Sequence, residues 1–242
     1  MKATWYKKTG PAQEVLKVGE MEAPRATEDE VRIRVRSSGV NPADVKLRSG
    51  ASNYGYNFPL VIPNSDGAGI VDQVGFNVPK SLMNKRVWFF NGQRLGRAHG
   101  SAAEFIALDK NFVTPLADDI SFEEGATLGI PAMTAYHSVF SDGPVSGKTI
   151  LVTGGSGAVG FYAVSLASWG GAKVIATVSN SNKAQNAILG GAKETINYKT
   201  EDIITRVAKL TNGKGVDRII SVDFADNLKW LTNVISKNGT VV

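Results

Sequence analysis

In a chain of 242 residues, Gly155-x-Gly157-x-x-Gly160 stands directly after the apolar run Ile150-Leu151-Val152 and before a second apolar stretch. That order suits a strand, a tight turn and a helix that together seat a pyrophosphate. Gly155 permits a sharp turn, and Gly157 lets backbone N–H groups approach a phosphate. Gly160 lets the helix pack closely on the strand, and the helix N-terminus adds partial positive charge. The glycine pattern is weak by itself in a chain with 26 glycines. The strand before it and the helix after it give it weight. Gly154, Gly155, Ser156, Gly157, Ala158, Val159 and Gly160 are therefore the expected phosphate turn of a nicotinamide dinucleotide site.

The next strand ends in Ala176-Thr177-Val178 and runs on through Ser179-Asn180-Ser181-Asn182-Lys183, with no acid before Glu194. An NAD site usually places Asp or Glu here to accept from the ribose 2′-hydroxyl. Hydroxyl and amide groups together with Lys183 suit a 2′-phosphate, which a carboxylate would repel. The expected cofactor is NADPH, with Ser179, Asn180 and Lys183 at its phosphate. Read alone, Lys183 is also consistent with a solvated helix residue.

These residues need two kinds of scaffold. Up to about residue 120 the chain reads as strands and turns. Glu30–Arg36 alternates charged and apolar residues at period two. Gly69–Val74, Arg86–Phe90 and Ala102–Leu108 read as further strands, with Gly, Asn and Pro between them. An antiparallel, barrel-like domain is expected. Ser121-Phe122-Glu123-Glu124 then matches a capping box at the start of a helix. That helical stretch should break near Gly129-Ile130-Pro131 and resume through Thr134–Phe140. From Lys148 strands and helices alternate: strands at Thr149–Thr153, Lys173–Val178, Thr195–Tyr198, Val216–Val222 and Gly239–Val242, with helices between. Such alternation means a doubly wound parallel sheet. The fold class is therefore α/β, with a β-rich catalytic domain at 1–122 and a Rossmann domain at 123–242.

Composition narrows the function. With 43% hydrophobic and 20% charged residues, disorder is excluded. The absence of cysteine excludes disulfides, thiolate zinc sites and a cysteine nucleophile. No apolar run follows the charged N-terminus, and none reaches the length of a membrane span, so a cytoplasmic location and no membrane partner are expected. The net charge of +5 suits a phosphate-bearing ligand and is equally the charge of a solvated basic surface.

Further stretches carry a family resemblance. They are Gly39-Val40-Asn41-Pro42-Ala43-Asp44 with Arg48-Ser49-Gly50, Asp66–Val71, Ser121–Ala126, Pro131–Tyr136, the turn at Gly154–Gly160, Ile196-Asn197-Tyr198 and Gly215-Val216-Asp217. In this order they resemble the medium-chain dehydrogenase/reductases of the quinone oxidoreductase and zeta-crystallin branch, across essentially the whole chain. The resemblance implies a GroES-like catalytic domain before the nucleotide-binding domain, a small-molecule substrate and a homodimer. Zinc-dependent relatives carry Cys where Asn41 stands and His-Glu where Ser65-Asp66 stand, so no zinc is expected here. Hydride transfer to a quinone or an α,β-unsaturated carbonyl then suits the site better than alcohol oxidation, which needs help at an alkoxide.

By the same resemblance, Asn41 would contact a carbonyl oxygen or the nicotinamide carboxamide, Asp44 would orient its loop, and Thr134 would lie near the nicotinamide. Tyr54 would face substrate, although Tyr56 fits the same place. Ser179, Lys183 and Tyr198 would surround the adenosine phosphate. Asn41-Pro42 reads equally as a turn with Asp44 capping the helix that follows. Asn84-Lys85-Arg86-Val87 departs from the family's Gly-Asp-Arg-Val. His99 and His137, the two histidines, show no partner in sequence and read as structural. Family members run longer, so the sheet is expected to be truncated at the C-terminus, with weakened cofactor binding and low turnover. Two rival functions stand beside the leading one: an enoyl-thioester reductase, and an NADPH-binding protein that uses its basic surface on RNA. The second lacks any interleaved basic and aromatic motif, which argues against a nucleic-acid partner.

Overall fold

The computed structural model describes residues 1–52, 58–94 and 96–242. Tyr54 and Tyr56, the two tyrosines expected near substrate, lie outside them. The chain divides into two compact units, Met1–Ile130 and Pro131–Val242.

The first unit opens with β1 (Lys2–Trp5), the short helix α1 (Ala12–Val15) and β2 (Lys17–Glu20), the two strands pairing antiparallel. Next come β3 (Glu30–Gly39), α2 (Pro42–Ser49), β4 (Asp66–Val74), β5 (Arg86–Phe89), β6 (Phe105–Asp109) and β7 (Val113–Pro115). β3 to β7 form one antiparallel sheet in the order β6-β3-β4-β5-β7. The period-two alternation in β3 is realised in the packing. Val31 and Ile33 enter a buried core with Val71, Val87, Phe89, Ile106 and Leu108. Between them Arg32 turns outward and pairs with Asp72 at 2.9 Å. All four expected strands are present, while β1, β2 and β7 are too short for their periodicity to announce them.

The capping box forms as expected. Ser121 Oγ accepts from the Glu124 N–H at 3.1 Å, and Glu124 Oε2 accepts from the Ser121 N–H at 2.9 Å. The helix it starts, α3 (Phe122–Gly125), is a single turn. Phe122 and Leu128 pack against Ala68, Leu116 and Ala126. That packing holds α3 in the first unit, so the units divide at Ile130/Pro131 and not at 122/123. Pro131 lies in a π-type turn, Leu128–Ala132, at the expected interruption.

The second unit contains α4 (Met133–Phe140), β8 (Thr149–Val152), α5 (Ala158–Trp169), β9 (Lys173–Val178), α6 (Ser181–Leu189), β10 (Glu194–Asn197), α7 (Ile203–Leu210), β11 (Val216–Ile220), α8 (Phe224–Val234) and β12 (Ile235–Val241). Its five strands are all parallel, in the order β10-β9-β8-β11-β12. By order of appearance this is 3-2-1-4-5, the dinucleotide-binding arrangement. Successive residues of each strand enter opposite cores. Ile150, Val152, Val174, Ala176 and Ile220 pack with α4, α5 and α6. Leu151, Ile175 and Ile219 pack with α7 and α8. Each buried Val, Leu or Ile among them contributes about 1.5–3 kcal/mol. The chain is thus α/β, a β-rich unit followed by a doubly wound parallel-sheet unit.

Candidate active site

The phosphate turn lies where the sequence places it, between β8 and α5. Its glycines answer to different demands. The left-handed residue is Gly154, at φ 59°, so the sharp turn sits one residue earlier than expected. Gly155 is required by packing, since a Cβ there would lie 2.6 Å from the Ala176 Cβ on β9. At Gly160 a Cβ would lie 2.2 Å from the Gly154 carbonyl oxygen, which is the close helix-to-strand approach expected. Gly157 differs from both. The nearest atom to a Cβ there is the Gly154 oxygen at 3.3 Å, so protein packing makes only a mild demand. Its missing side chain leaves the backbone open to a ligand.

Gly157 also caps α5, with no side-chain hydrogen bond to the helix and no acid in the first turn. By contrast, Asn180, Asp202 and Asp223 cap α6, α7 and α8 with their side chains. The first N–H groups of α5 have no intrahelical acceptors and, with the helix dipole, favour an anion. A cavity of about 820 Å³ opens at the carboxyl ends of β8 to β11, lined by Thr153, Gly154, Thr177, Tyr198 and Val222 among others. The direction of winding reverses between β8 and β11, which is where open α/β sheets bind ligands.

Beyond β9, Ser179 is half-buried while Asn180 and Lys183 are exposed. Asn180 has a structural duty, its Oδ1 accepting from the Lys183 N–H at 2.9 Å. Lys183 forms no ion pair among the described residues, and no carboxylate stands on the segment from Ser179 to Lys183. Tyr198 follows β10, half-exposed, and its N–H donates to the Val178 carbonyl at 3.1 Å, beside the end of β9. Asn186 of α6 donates to Ser156 Oγ at 3.5 Å and so links α6 to the phosphate turn.

In the first unit a buried polar cluster gathers at the start of α2. Asn41 is the N-cap of α2, and its N–H donates to Asp44 Oδ2, three residues on, at 2.8 Å. The Asn41 amide nitrogen donates to Asp66 Oδ1 at 2.6 Å. Ser65 Oγ donates to Asp44 Oδ1 at 3.2 Å, and Asp66 Oδ2 accepts from the Ile130 N–H at 2.6 Å. Burial raises the pKa of Asp44 and pushes that of Asp66 up to about 6. Asn41 and Asp44 are therefore together, with Ser65 and Asp66, which the sequence had marked only as places where relatives hold zinc.

Thr134 belongs to the second unit, exposed on the first turn of α4, with its carbonyl accepting from Ser138 Oγ at 2.8 Å. Two buried threonines flanking the phosphate turn, Thr153 and Thr177, received no role from sequence, because threonine is an ordinary strand residue. Arg218 on β11 was equally silent. It is 1% exposed, pairs with Asp142 and donates to the Ser138 carbonyl. Period two along β11 places it on the face of Ile220, which is a signal the sequence did hold.

Comparison with known proteins agrees with this geometry. Residues 27–118 match the alcohol dehydrogenase GroES-like domain, and residues 158–242 match the zinc-binding dehydrogenase domain. Quinone oxidoreductase of Rattus norvegicus is 32% identical over 231 residues, covering 95% of this chain and 68% of the relative. The chain belongs to the medium-chain dehydrogenase/reductase family, in its quinone oxidoreductase branch. Among solved structures, Escherichia coli quinone oxidoreductase complexed with NADPH superposes with a TM-score of 0.87 at 26% identity, covering all of this chain and 72% of that one. An NAD-dependent alcohol dehydrogenase superposes with a TM-score of 0.91 at 28% identity, over all of this chain and 76% of that one. The solved structures that share this fold thus include one complexed with NADPH and one named as NAD-dependent.

The domain name raises zinc, and the buried cluster offers a poor set of ligands for it. Catalytic zinc is held by Cys, His and carboxylate donors. Here the cluster supplies an amide, a hydroxyl and two carboxylates whose oxygens already accept from Asn41, Ser65 and Ile130. Among the described residues no group of three or more His, Cys, Asp or Glu side chains is arranged to hold a metal ion. No described helix is long and apolar enough to cross a membrane.

Proposed function

We propose that this chain is an NADPH-dependent oxidoreductase that passes hydride to a quinone or an α,β-unsaturated carbonyl without zinc. The observation that carries the reading is the uncapped N-terminus of α5 next to an acid-free strand end, with Lys183 in no ion pair among the described residues. Gly154–Gly160 would hold the pyrophosphate, and Ser179, Asn180, Lys183 and Tyr198 the 2′-phosphate. When bound, the nicotinamide supplies the hydride. Its quinone oxidoreductase relatives support the acceptor class.

In this reading Asn41 keeps one amide hydrogen on Asp66 and has a second for a substrate carbonyl or the carboxamide, since a primary amide carries two donors. Asp44 fixes Asn41 through its backbone N–H. Thr134 stands near the nicotinamide, and Tyr54 is retained from the sequence as the substrate-side tyrosine. An acceptor that is already electrophilic needs no Lewis acid, which suits the amide, hydroxyl and carboxylate groups present. A homodimer and a cytoplasmic location complete the proposal.

The test is NADPH oxidation by the purified chain with 1,4-benzoquinone, followed by loss of NADPH absorbance, with and without a zinc chelator. Slow quinone-dependent oxidation that the chelator leaves unchanged is expected. Oxidation that requires added zinc, or that proceeds as well from NADH, overturns the reading.

A further inference from the structure

The phosphate turn is held from the neighbouring strand as well as from within. Inside it, the Gly157 N–H donates to the Gly154 carbonyl at 2.8 Å. From β9, Thr177 Oγ1 accepts from the Gly154 N–H at 3.1 Å, and the Thr177 carbonyl accepts from the Gly155 N–H at 3.0 Å. Thr177 is buried, at 3% exposure. Any residue at 177 would supply the carbonyl, and valine would match the packing and the strand preference. The hydroxyl is the part that only Thr, or Ser, adds.

That hydroxyl engages the one residue of the turn with a left-handed backbone, Gly154 at φ 59°. On the other side, Thr153 Oγ1 accepts from the Val222 N–H at 3.0 Å and holds the chain beyond β11. Val222 in turn closes on Gly154, with its Cγ2 3.2 Å from where a Cβ would stand. The Thr177 hydroxyl thus holds the turn directly from β9, while the Thr153 hydroxyl fixes Val222, whose side chain stands against Gly154.

We propose that Thr177 is a positioning residue of the dinucleotide site, its hydroxyl setting the Gly154 peptide so that the α5 N–H groups face a pyrophosphate. This rests on the cofactor reading above. Thr177 acts in this account through Gly154, from the wall of the same cavity. Without its hydroxyl the turn relaxes, and only ligands that use the turn lose affinity.

The experiment titrates NADPH and 2′-AMP into the natural chain, Thr177→Val and Thr177→Ser. 2′-AMP carries the adenosine and the 2′-phosphate and lacks a pyrophosphate. Thr177→Val is expected to bind NADPH about tenfold more weakly, the effect of one lost buried hydrogen bond. Its 2′-AMP affinity should stay at the natural value, and Thr177→Ser should restore NADPH binding. Unchanged NADPH affinity in Thr177→Val, or equal loss for both ligands, overturns the inference while leaving the cofactor reading in place. If the natural chain fails to bind NADPH, the cofactor reading itself falls and this inference with it. Should Thr177→Val not fold, Thr177→Ala carries the same comparison. Failure of both to fold would assign the hydroxyl to the fold and overturn the proposal.

Discussion

The Asn41 amide donates to Asp66 Oδ1 at 2.6 Å, and both residues are closed off from solvent. Burial pushes Asp66 up to about 6. The hydrogen bonds from Ile130 and Asn41 oppose that rise and the Asp44 charge adds to it. An unfolded carboxylate titrates near pH ~3.9. The folded chain therefore holds this proton more tightly, and between those values the folded state binds more protons than the unfolded one. Stability from this group must fall as pH rises through that window. Relative to Asp66→Asn, which does not titrate, the natural chain should lose about 2 kcal/mol between about pH 4 and pH 7. Urea unfolding of both proteins across that range measures the difference. A constant gap would sink the assignment.

Arg218 sets a second expectation, because a guanidinium at 1% exposure is paired with Asp142, whose side chain is 45% exposed. Removing the partner strands a buried charge, whereas replacing the charge by an apolar side chain does not. Asp142→Ala should therefore cost more stability than Arg218→Met, about 2–3 kcal/mol for the former. Adding Arg218→Met to Asp142→Ala should recover part of the loss. Denaturant midpoints for the three variants decide it. If Asp142→Ala matches the natural chain, the pair does not matter.

The division between what the sequence revealed and what it hid follows the range of the interactions. Strand alternation in β3 and the β-α alternation after Lys148 are local patterns, and they were legible because one face of each element must find a core. The glycine fingerprint was legible as a motif, yet the roles of its members were not fully so. Which glycine takes the left-handed backbone depends on how Val222 and Thr177 approach from other strands. The cluster of Asn41, Asp44, Ser65 and Asp66 joins α2 to β4 over more than twenty residues of sequence. Resemblance pointed to its positions and only the fold gave its hydrogen bonds. α3 shows the limit of a local signal: the capping box formed, but a box starts a helix without fixing its length.

Gly157 and Gly160 make a contrasting pair. A Cβ at 160 meets the Gly154 carbonyl oxygen at 2.2 Å, a backbone atom that has nowhere to go. Gly160→Ala should therefore lower both stability and NADPH affinity. At 157 the same oxygen is 3.3 Å away, so Gly157→Ala should fold with a melting temperature close to the natural one. Its methyl group would stand in the path of a pyrophosphate, and NADPH affinity should drop at least tenfold, about 1.4 kcal/mol. Thermal melts paired with NADPH titrations separate the two. Intact NADPH binding by Gly157→Ala would mean that the open space at 157 is not the phosphate path.

Lys183 carries the choice between cofactors. It is exposed and unpaired among the described residues, so its charge is free to meet the extra phosphate of NADPH. A hydrogen bond to a charged group contributes about 1.5–3 kcal/mol, which sets a range of roughly tenfold to a hundredfold. Solvent screening at an exposed site places the expectation for Lys183→Ala at the lower end, about tenfold weaker NADPH binding. NADH lacks that phosphate and should bind the variant and the natural chain alike. Lys183→Glu should widen the loss for NADPH by repulsion. Raising the salt concentration should shrink the difference between natural and variant chains, because the interaction is electrostatic and open to solvent. Titration of both cofactors at two ionic strengths tests all of this together. An equal loss for NADPH and NADH would remove Lys183 from the 2′-phosphate and return it to the solvated face of α6.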